Sequence, residues 1–410
     1  MGTDPQMTGA TLGTAIAQSF IEYYKINGLD MANLTLSVID MTKIADLVSS
    51  FEAFVGTVDL SKVSFQEVAK DRSNTKEFGF SSAYEHHFDV VDIGDLAAQF
   101  SEKSAQESAN LTAALSAAVV YSEKGQHDDI ASGLSVYFPY NGPQYLNANM
   151  AAYKTLGFSS TYVNYIDSFV STLTSTPLAQ LESISQTPTT DESASAGRGL
   201  YRTAIAPEQT ANIESVYATV WQEMPNGTYR QVYRDDTVQL DATTGEMLAE
   251  FDGRVTTVDG HIACMYELVR GDGFVRYNVP GFINREFVNL QIVFDETSPG
   301  GRVLGATPVI NASQVAARQM LPIEEGSDLA MCYDALTPEN YAEFETATIE
   351  DVGDYSSSGT SWTVGEYSTT GKTVTMATTD LPKGNYLFGF MVKDLQGNTY
   401  ATKPIPFSRS

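Results

Sequence analysis

Cysteine is nearly missing from these 410 residues: only Cys264 and Cys332 occur. Two thiols exclude a disulfide-dense scaffold and any zinc site built on C-x-x-C spacing. One disulfide between them stays open, because bridging depends on Cα atoms coming within about 7 Å, which spacing does not reveal. Long hydrophobic runs are also lacking. No segment approaches the roughly 18 uncharged apolar residues of a membrane-spanning helix, so no such span is expected. Positive charge is scarce: 24 Lys and Arg face 51 Asp and Glu, a formal net charge of -27. With no Lys/Arg cluster as a local exception, that field repels phosphate backbones and anionic lipid, so nucleic acid is not an expected partner. It favours cationic ligands or basic peptides, or it serves solubility alone. The start, Met1-Gly-Thr-Asp-Pro-Gln-Met7, has neither the basic residues nor the apolar stretch of a secretory signal. Either the chain is cytoplasmic or its true beginning lies upstream.

Apolar residues at 42% and aromatics at 11% suffice to fill cores, and the length exceeds what one core organises, so at least two domains are expected. Thr8 caps a helix over 8–27 in which Leu12, Ile16, Phe20 and Tyr24 recur every four positions, and Gly28 ends it. A strand at Leu34 to Ile39 follows. Asp40 to Thr42 then cap a helix carrying Ile44, Leu47, Val48, Phe51 and Phe54. A helix around Leu96 to Phe100, an Ala-rich run ending in Val119-Val120-Tyr121, a strand at Leu134 to Phe138 and a helix bearing Val163, Ile166, Phe169, Val170 and Leu173 continue the alternation. This order predicts a sheet covered by helices. From Ser171 to Gly199 the composition shifts to Ser, Thr, Pro, Gln and Ala, and residues 176–199 read as a linker. Beyond it, Asn226-Gly227, Thr244-Gly245, Asp252-Gly253, Asp259-Gly260 and Asp272-Gly273 divide short β-rich runs, and a hairpin formed by 384–394 and 399–402 closes the chain. Residues 200–410 therefore read as all-β, in one or two sandwich-like modules, although residues 310–380 give no clear pattern. The fold class is α/β followed by all-β.

A nucleophile needs a base within hydrogen-bond reach. His261 and Cys264 lie close in sequence, but on the strand expected there, residues three apart face opposite sides of the sheet. They read as a strand cysteine and an exposed histidine. Cys332 has no histidine near it in sequence. His86 and His87 offer a base or a metal ligand to another segment, or simply form a polar strand edge. His127, Asp128 and Asp129 are three potential ligands in succession, an arrangement that reads as a solvated loop unless other segments contribute. Arg270-Gly271-Asp272 matches an adhesion tripeptide, yet Asp272-Gly273 as a hairpin turn explains it. No phosphate loop, G-x-S-x-G elbow or H-E-x-x-H motif occurs.

Several ordered stretches carry a resemblance. Asp4 to Thr8 with Leu12-Gly13 and Phe20 to Tyr24, then Leu34 to Asp40, Phe88 to Ile93, and most specifically Ala131-Ser-Gly-Leu-Ser-Val-Tyr-Phe-Pro139, occur in sequence, followed by the aromatic-rich helix at 160–173. Residues 1–175 thereby resemble the later part of the clostripain family of cysteine peptidases. The resemblance implies a partial caspase-like α/β/α sandwich and an endopeptidase that cleaves after Arg or Lys in protein or peptide substrates. It also implies that the family's catalytic His and Cys lie upstream of Met1, so no catalytic residue is carried onto this chain and the isolated chain is expected to be inactive. The acidic pocket residues lie at least partly upstream and are not carried over. Export to the cell surface or beyond is implied for the full-length form. Calcium enters as a family analogy with no residue assigned, and no other cofactor is expected. Residues 200–410 resemble loosely the β-rich regions that follow such peptidase domains. The alternative is a non-catalytic extracellular binding or adhesion protein on a degenerate peptidase scaffold.

Overall fold

The first helix starts where its capping residue stands. In this computed structural model, which describes residues 7–27, 31, 34–78, 88–125, 130–141, 143–175, 189–190, 197–308, 320–336 and 362–410, the Thr8 hydroxyl accepts from Thr11 N at 3.1 Å and opens helix α1, Gly9–Ile26. Strand β1 is Thr35–Ile39. The Asp40 carboxylate accepts from Thr42 N at 2.9 Å and starts a short 3-10 turn that runs into α2, Ile44–Thr57. Helix α3, Phe65–Asn74, opens on a reciprocal Ser64/Glu67 capping box, a polar signal that the spacing of apolar residues does not reveal. Strands β2, Glu77–Phe78, and β3, Val90–Asp92, lead to α4, Ile93–Gln99, then α5, Ala105–Ala118, and strand β4, Val119–Lys124. Strand β5, Ser135–Tyr137, precedes α6, Pro143–Lys154, which has proline in the first position that suits it, and α7, Ser160–Ser175.

The described residues from 7 to 175 belong to one compact unit and those from 189 to 410 to another. In the first unit the strands form two small antiparallel sheets, β1 with β4 and β2–β3–β5, where one sheet was expected. The reason lies at Gly133. Its φ of +103° turns the backbone, and its carbonyl accepts from the Ser37 hydroxyl at 2.6 Å. A side-chain bond thus stands where a ladder would join β1 to the approach of β5. The helices pack an aromatic core: Phe54 meets Phe100 edge-on at 5.9 Å, and Phe138 meets Phe169 at 5.2 Å. Each such ring, fully buried, stabilises by roughly 1.5–3 kcal/mol.

Strands dominate the second unit. Strands Ile213–Glu223 and Tyr229–Asp235 form one hairpin, Phe274–Ile283 and Glu286–Asp295 another. Strand Asp328–Leu336 connects them, pairing with residues 281–283 near one end and with Tyr229 and Arg230 near the other. Gly384–Asp394 lies against Ile213–Glu223 and turns into Thr399–Ala401, the closing hairpin expected from the sequence. Smaller sheets pair Gly199–Ala204 with Glu246–Phe251, and Arg254–Val258 with Met376–Asp380. One core, including Val220, Phe251, Val255, Leu290 and Phe388, is shared by the large and small sheets. Within the span read as a linker, Thr189–Thr190 pairs with Arg202 and Tyr201. Among the described residues no helix is long and apolar enough to cross a membrane.

All five turn glycines, Gly227, Gly245, Gly253, Gly260 and Gly273, have φ between +74° and +81°, the conformation that makes glycine the default. Asp252-Gly253 differs in what it joins: the strands on either side lie in different sheets, so it is a crossover between sheets and not a hairpin. The turn at Asn284-Arg285 carries no glycine, yet φ is +50° and +71°, as a two-residue type I′ hairpin requires. Arg285 in this region costs about 1 kcal/mol, partly offset by about 0.5 kcal/mol from its place over Tyr367. Arg285→Gly is therefore expected to raise the stability of this unit by about 0.5 kcal/mol in urea unfolding; a loss would contradict the strain argument.

Candidate functional site

His261 and Cys264 do not form a catalytic pair. The strand expected there ends at Ile262, and Ala263 N continues its register by donating to Thr256 O at 2.9 Å. His261 is half-buried on that two-residue strand, whereas Cys264 is buried beyond it. The disulfide left open by the sequence is not formed, since both cysteines are free thiols. Burial pushes the Cys332 thiol up to about 12 and raises Cys264 as well. Both therefore stay protonated near neutrality and are inert as nucleophiles. His86, His87, His127, Asp128 and Asp129 lie outside the described residues. Arg270 of the adhesion-like tripeptide is held by the Glu267 carboxylate, and Asp272-Gly273 forms the expected turn. Among the described residues no cluster of three or more His, Cys, Asp and Glu side chains suits a metal ion.

The first unit contains a buried ionic network that links its short strands. Arg72, on α3, donates through Nε to Phe138 O at 2.8 Å and through Nη2 to Glu77 Oε2 at 3.0 Å and Asp89 Oδ1 at 3.1 Å. Asn141 Nδ2 donates to Asp89 Oδ1 at 2.8 Å, and Asn141 N donates to the same oxygen at 3.1 Å. Burial pushes the Asp89 carboxyl up from its ordinary value, while the Arg72 guanidinium opposes that shift. The small residues of 131–134 also have a structural role. Asp92 accepts from Asp95 N at 2.9 Å and from Ser132 N at 2.7 Å, while a Cβ on Gly94 would stand 2.6 Å from Ser132 Cβ. That segment thus seats directly on the start of α4. These contacts position backbone and leave no reacting group exposed.

The unsatisfied surface of this unit is elsewhere. Helix α1 packs most closely through Gly13, Ala17 and Ile21; of the Leu12, Ile16, Phe20, Tyr24 stripe expected from spacing, Leu12 and Tyr24 are half-buried and Ile16 and Phe20 exposed. A Cβ at Gly13 would lie 2.6 Å from Val38 Cγ1, so the small residue permits helix and β1 to approach closely. Ile16, Phe20, Tyr23 and Ile26 are left 62%, 42%, 59% and 76% exposed. In the same unit β1 pairs with β4 alone, leaving its other edge without a strand among the described residues. An apolar helix flank beside an open strand edge is the surface pattern of an interface.

Neither a protein-family model nor a curated protein matches the chain.

Proposed function

We propose that the first unit is the C-terminal portion of a clostripain-like cysteine endopeptidase that cleaves after Arg or Lys, and that the isolated chain is inactive. The exposed flank of α1 beside the open edge of β1 carries the reading. A further strand on β1, with a helix across Ile16, Phe20 and Tyr23, extends the sheet toward a caspase-like α/β/α sandwich. The catalytic imidazole and thiol belong to that additional polypeptide, where the imidazole would activate the thiolate and backbone N–H groups would stabilise the oxyanion. The buried, protonated Cys264 and Cys332 do not replace them. The completed form is exported.

The test compares this chain with a version extended upstream to include the expected His and Cys, using fluorogenic Arg and Lys peptides. Thiol-dependent cleavage is expected only in the extended version. Activity in the short chain would sink the proposal. An extended chain that binds these peptides without cleaving them would favour the non-catalytic binding protein.

A further inference from the structure

The hairpin between Ile213–Glu223 and Tyr229–Asp235 turns through Pro225-Asn226-Gly227. Met224 N donates to Thr228 O at 2.7 Å and Gly227 N to Met224 O at 2.9 Å, and Gly227 has a φ of +81°, the pattern of a tight loop closed by a glycine bulge. Asn226 is exposed. Its Oδ1 accepts from Thr228 N at 3.1 Å and from the Thr228 hydroxyl at 2.7 Å. Asparagine is among the thermolabile residues, and a glycine after it puts no Cβ in the way when the next backbone nitrogen attacks the side-chain Cγ.

The sequence contains two further Asn-Gly pairs, at 27–28 and 141–142. Both asparagines are tied to the fold through the nitrogen that would have to leave. Asn27 Nδ2 donates to Tyr23 O at 2.7 Å, and Asn141 Nδ2 donates to Asp89 Oδ1 at 2.8 Å and to Glu77 Oε2 at 3.3 Å. At Asn226 the two Thr228 donors meet the oxygen instead. Negative charge develops on that oxygen when a nucleophile adds to Cγ, so these donors stabilise the addition. One contact acts against it: Gly227 N–H must leave Met224 O first, and opening one exposed hydrogen bond slows the attack about tenfold at most.

We propose that Asn226 is a self-modifying site, at which the chain deamidates through its own Gly227 nitrogen with Thr228 promoting the step. Gly227 N loses its proton to solvent base and bonds to Asn226 Cγ. The Cγ–Nδ2 bond then breaks, and the nitrogen takes a proton from water and leaves as ammonia. Water opens the resulting cyclic imide at either carbonyl, which leaves aspartate or isoaspartate at position 226. Aspartate fits the turn: Asp235 accepts from Thr237, and Asp295 from Thr297, through the same pair of backbone N–H and hydroxyl. Isoaspartate lengthens the main chain by a carbon and draws Thr228 O away from Met224 N. The inference concerns the second unit and does not depend on the peptidase reading.

The test is incubation of the full chain at mildly alkaline pH, followed by peptide mapping with mass spectrometry and enzymatic methylation of isoaspartate. Conversion at Asn226 is expected to run at least about tenfold faster than at Asn141, whose side chain is fixed by bonds to two carboxylates. Gly227→Ala puts a methyl beside the attacking nitrogen and should slow conversion about tenfold or more. Thr228→Val keeps the turn glycine and removes one donor from Oδ1, so it should slow conversion about fivefold, the factor an exposed hydrogen bond is worth. Conversion at Asn226 no faster than at Asn141, or an unchanged rate in either variant, would overturn the proposal.

Discussion

Replacing Arg72 with methionine is expected to remove about 3–5 kcal/mol of stability from the first unit, the usual cost of breaking one side of a buried ion pair. The guanidinium is buried with Glu77 and Asp89 around it. Methionine fills much of the volume yet leaves the Glu77 and Asp89 carboxylates without the guanidinium they share. The Phe138 carbonyl also loses the Nε–H that ties α3 to the end of β5. The two units can be followed separately. Helices α1 to α7 all lie in the first unit, whereas both tryptophans, Trp221 and Trp362, lie in the second. In urea, the helical circular dichroism transition should move to lower denaturant while tryptophan fluorescence keeps its midpoint. Adding Glu77→Gln and Asp89→Asn to the Arg72→Met variant should restore more than about 1 kcal/mol by removing the unpaired charge. A loss below about 1 kcal/mol in the single variant would mean that water or neighbouring dipoles already satisfy the carboxylates.

Arg72 shows what periodicity conceals. On α3, Val68, Ala69 and Arg72 share the buried face, but a charged residue in an apolar position ordinarily reads as an exposed one. Its partners Glu77, Asp89 and the Phe138 carbonyl come from three other segments, and no local pattern brings them together. Turn glycines were legible for the opposite reason: positive φ is a local demand met by a local residue. Asn284-Arg285 escaped because the long register between Phe274–Ile283 and Glu286–Asp295 imposes that turn against the preference of arginine. In α1 the helix and its cap were readable and its buried face was not. Large residues marked an apolar stripe, whereas contact with β1 was decided by the small Gly13 and Ala17, which let the backbones approach. The stripe straddles the boundary: Leu12 and Tyr24 are half-buried, while Ile16 and Phe20 face outward. The fate of the thiols was open for a related reason, because burial depends on strands distant in sequence.

Raising the pH from about 8.5 to 10 is expected to cost the second unit about 3 kcal/mol through its two cysteines. An unfolded thiol titrates near about 8.5. In the folded protein burial raises both thiols, Cys332 to about 12. A folded acid with a raised pKa keeps its proton while the unfolded chain releases one. Its contribution is therefore complete below about 8.5 and declines above it, approaching about 1.4 kcal/mol per pH unit for each thiol, until the folded pKa is reached. Tyr201, Tyr333 and Tyr386, also raised by burial to about 12, and Tyr217, Tyr233 and Tyr277, raised by burial as well, begin to add their share about one pH unit below the ordinary tyrosine value of about 10, in the parent and in a thiol-free variant alike. The thiols are therefore read from the difference between the parent and a variant that lacks them. Urea unfolding followed by tryptophan fluorescence, with reductant present, should show a loss between pH 8.5 and 10 that is about 3 kcal/mol larger in the parent than in the Cys264→Ala, Cys332→Ala double variant. The variant's lower absolute stability does not disturb a comparison of slopes. Equal slopes, or rapid labelling of the native protein by a thiol reagent at pH 8, would show that the thiols ionise in place. That second result would also reopen them as nucleophiles. Under the proposed peptidase reading, their inertness is why the catalytic thiol is sought on the polypeptide proposed to dock on α1 and β1.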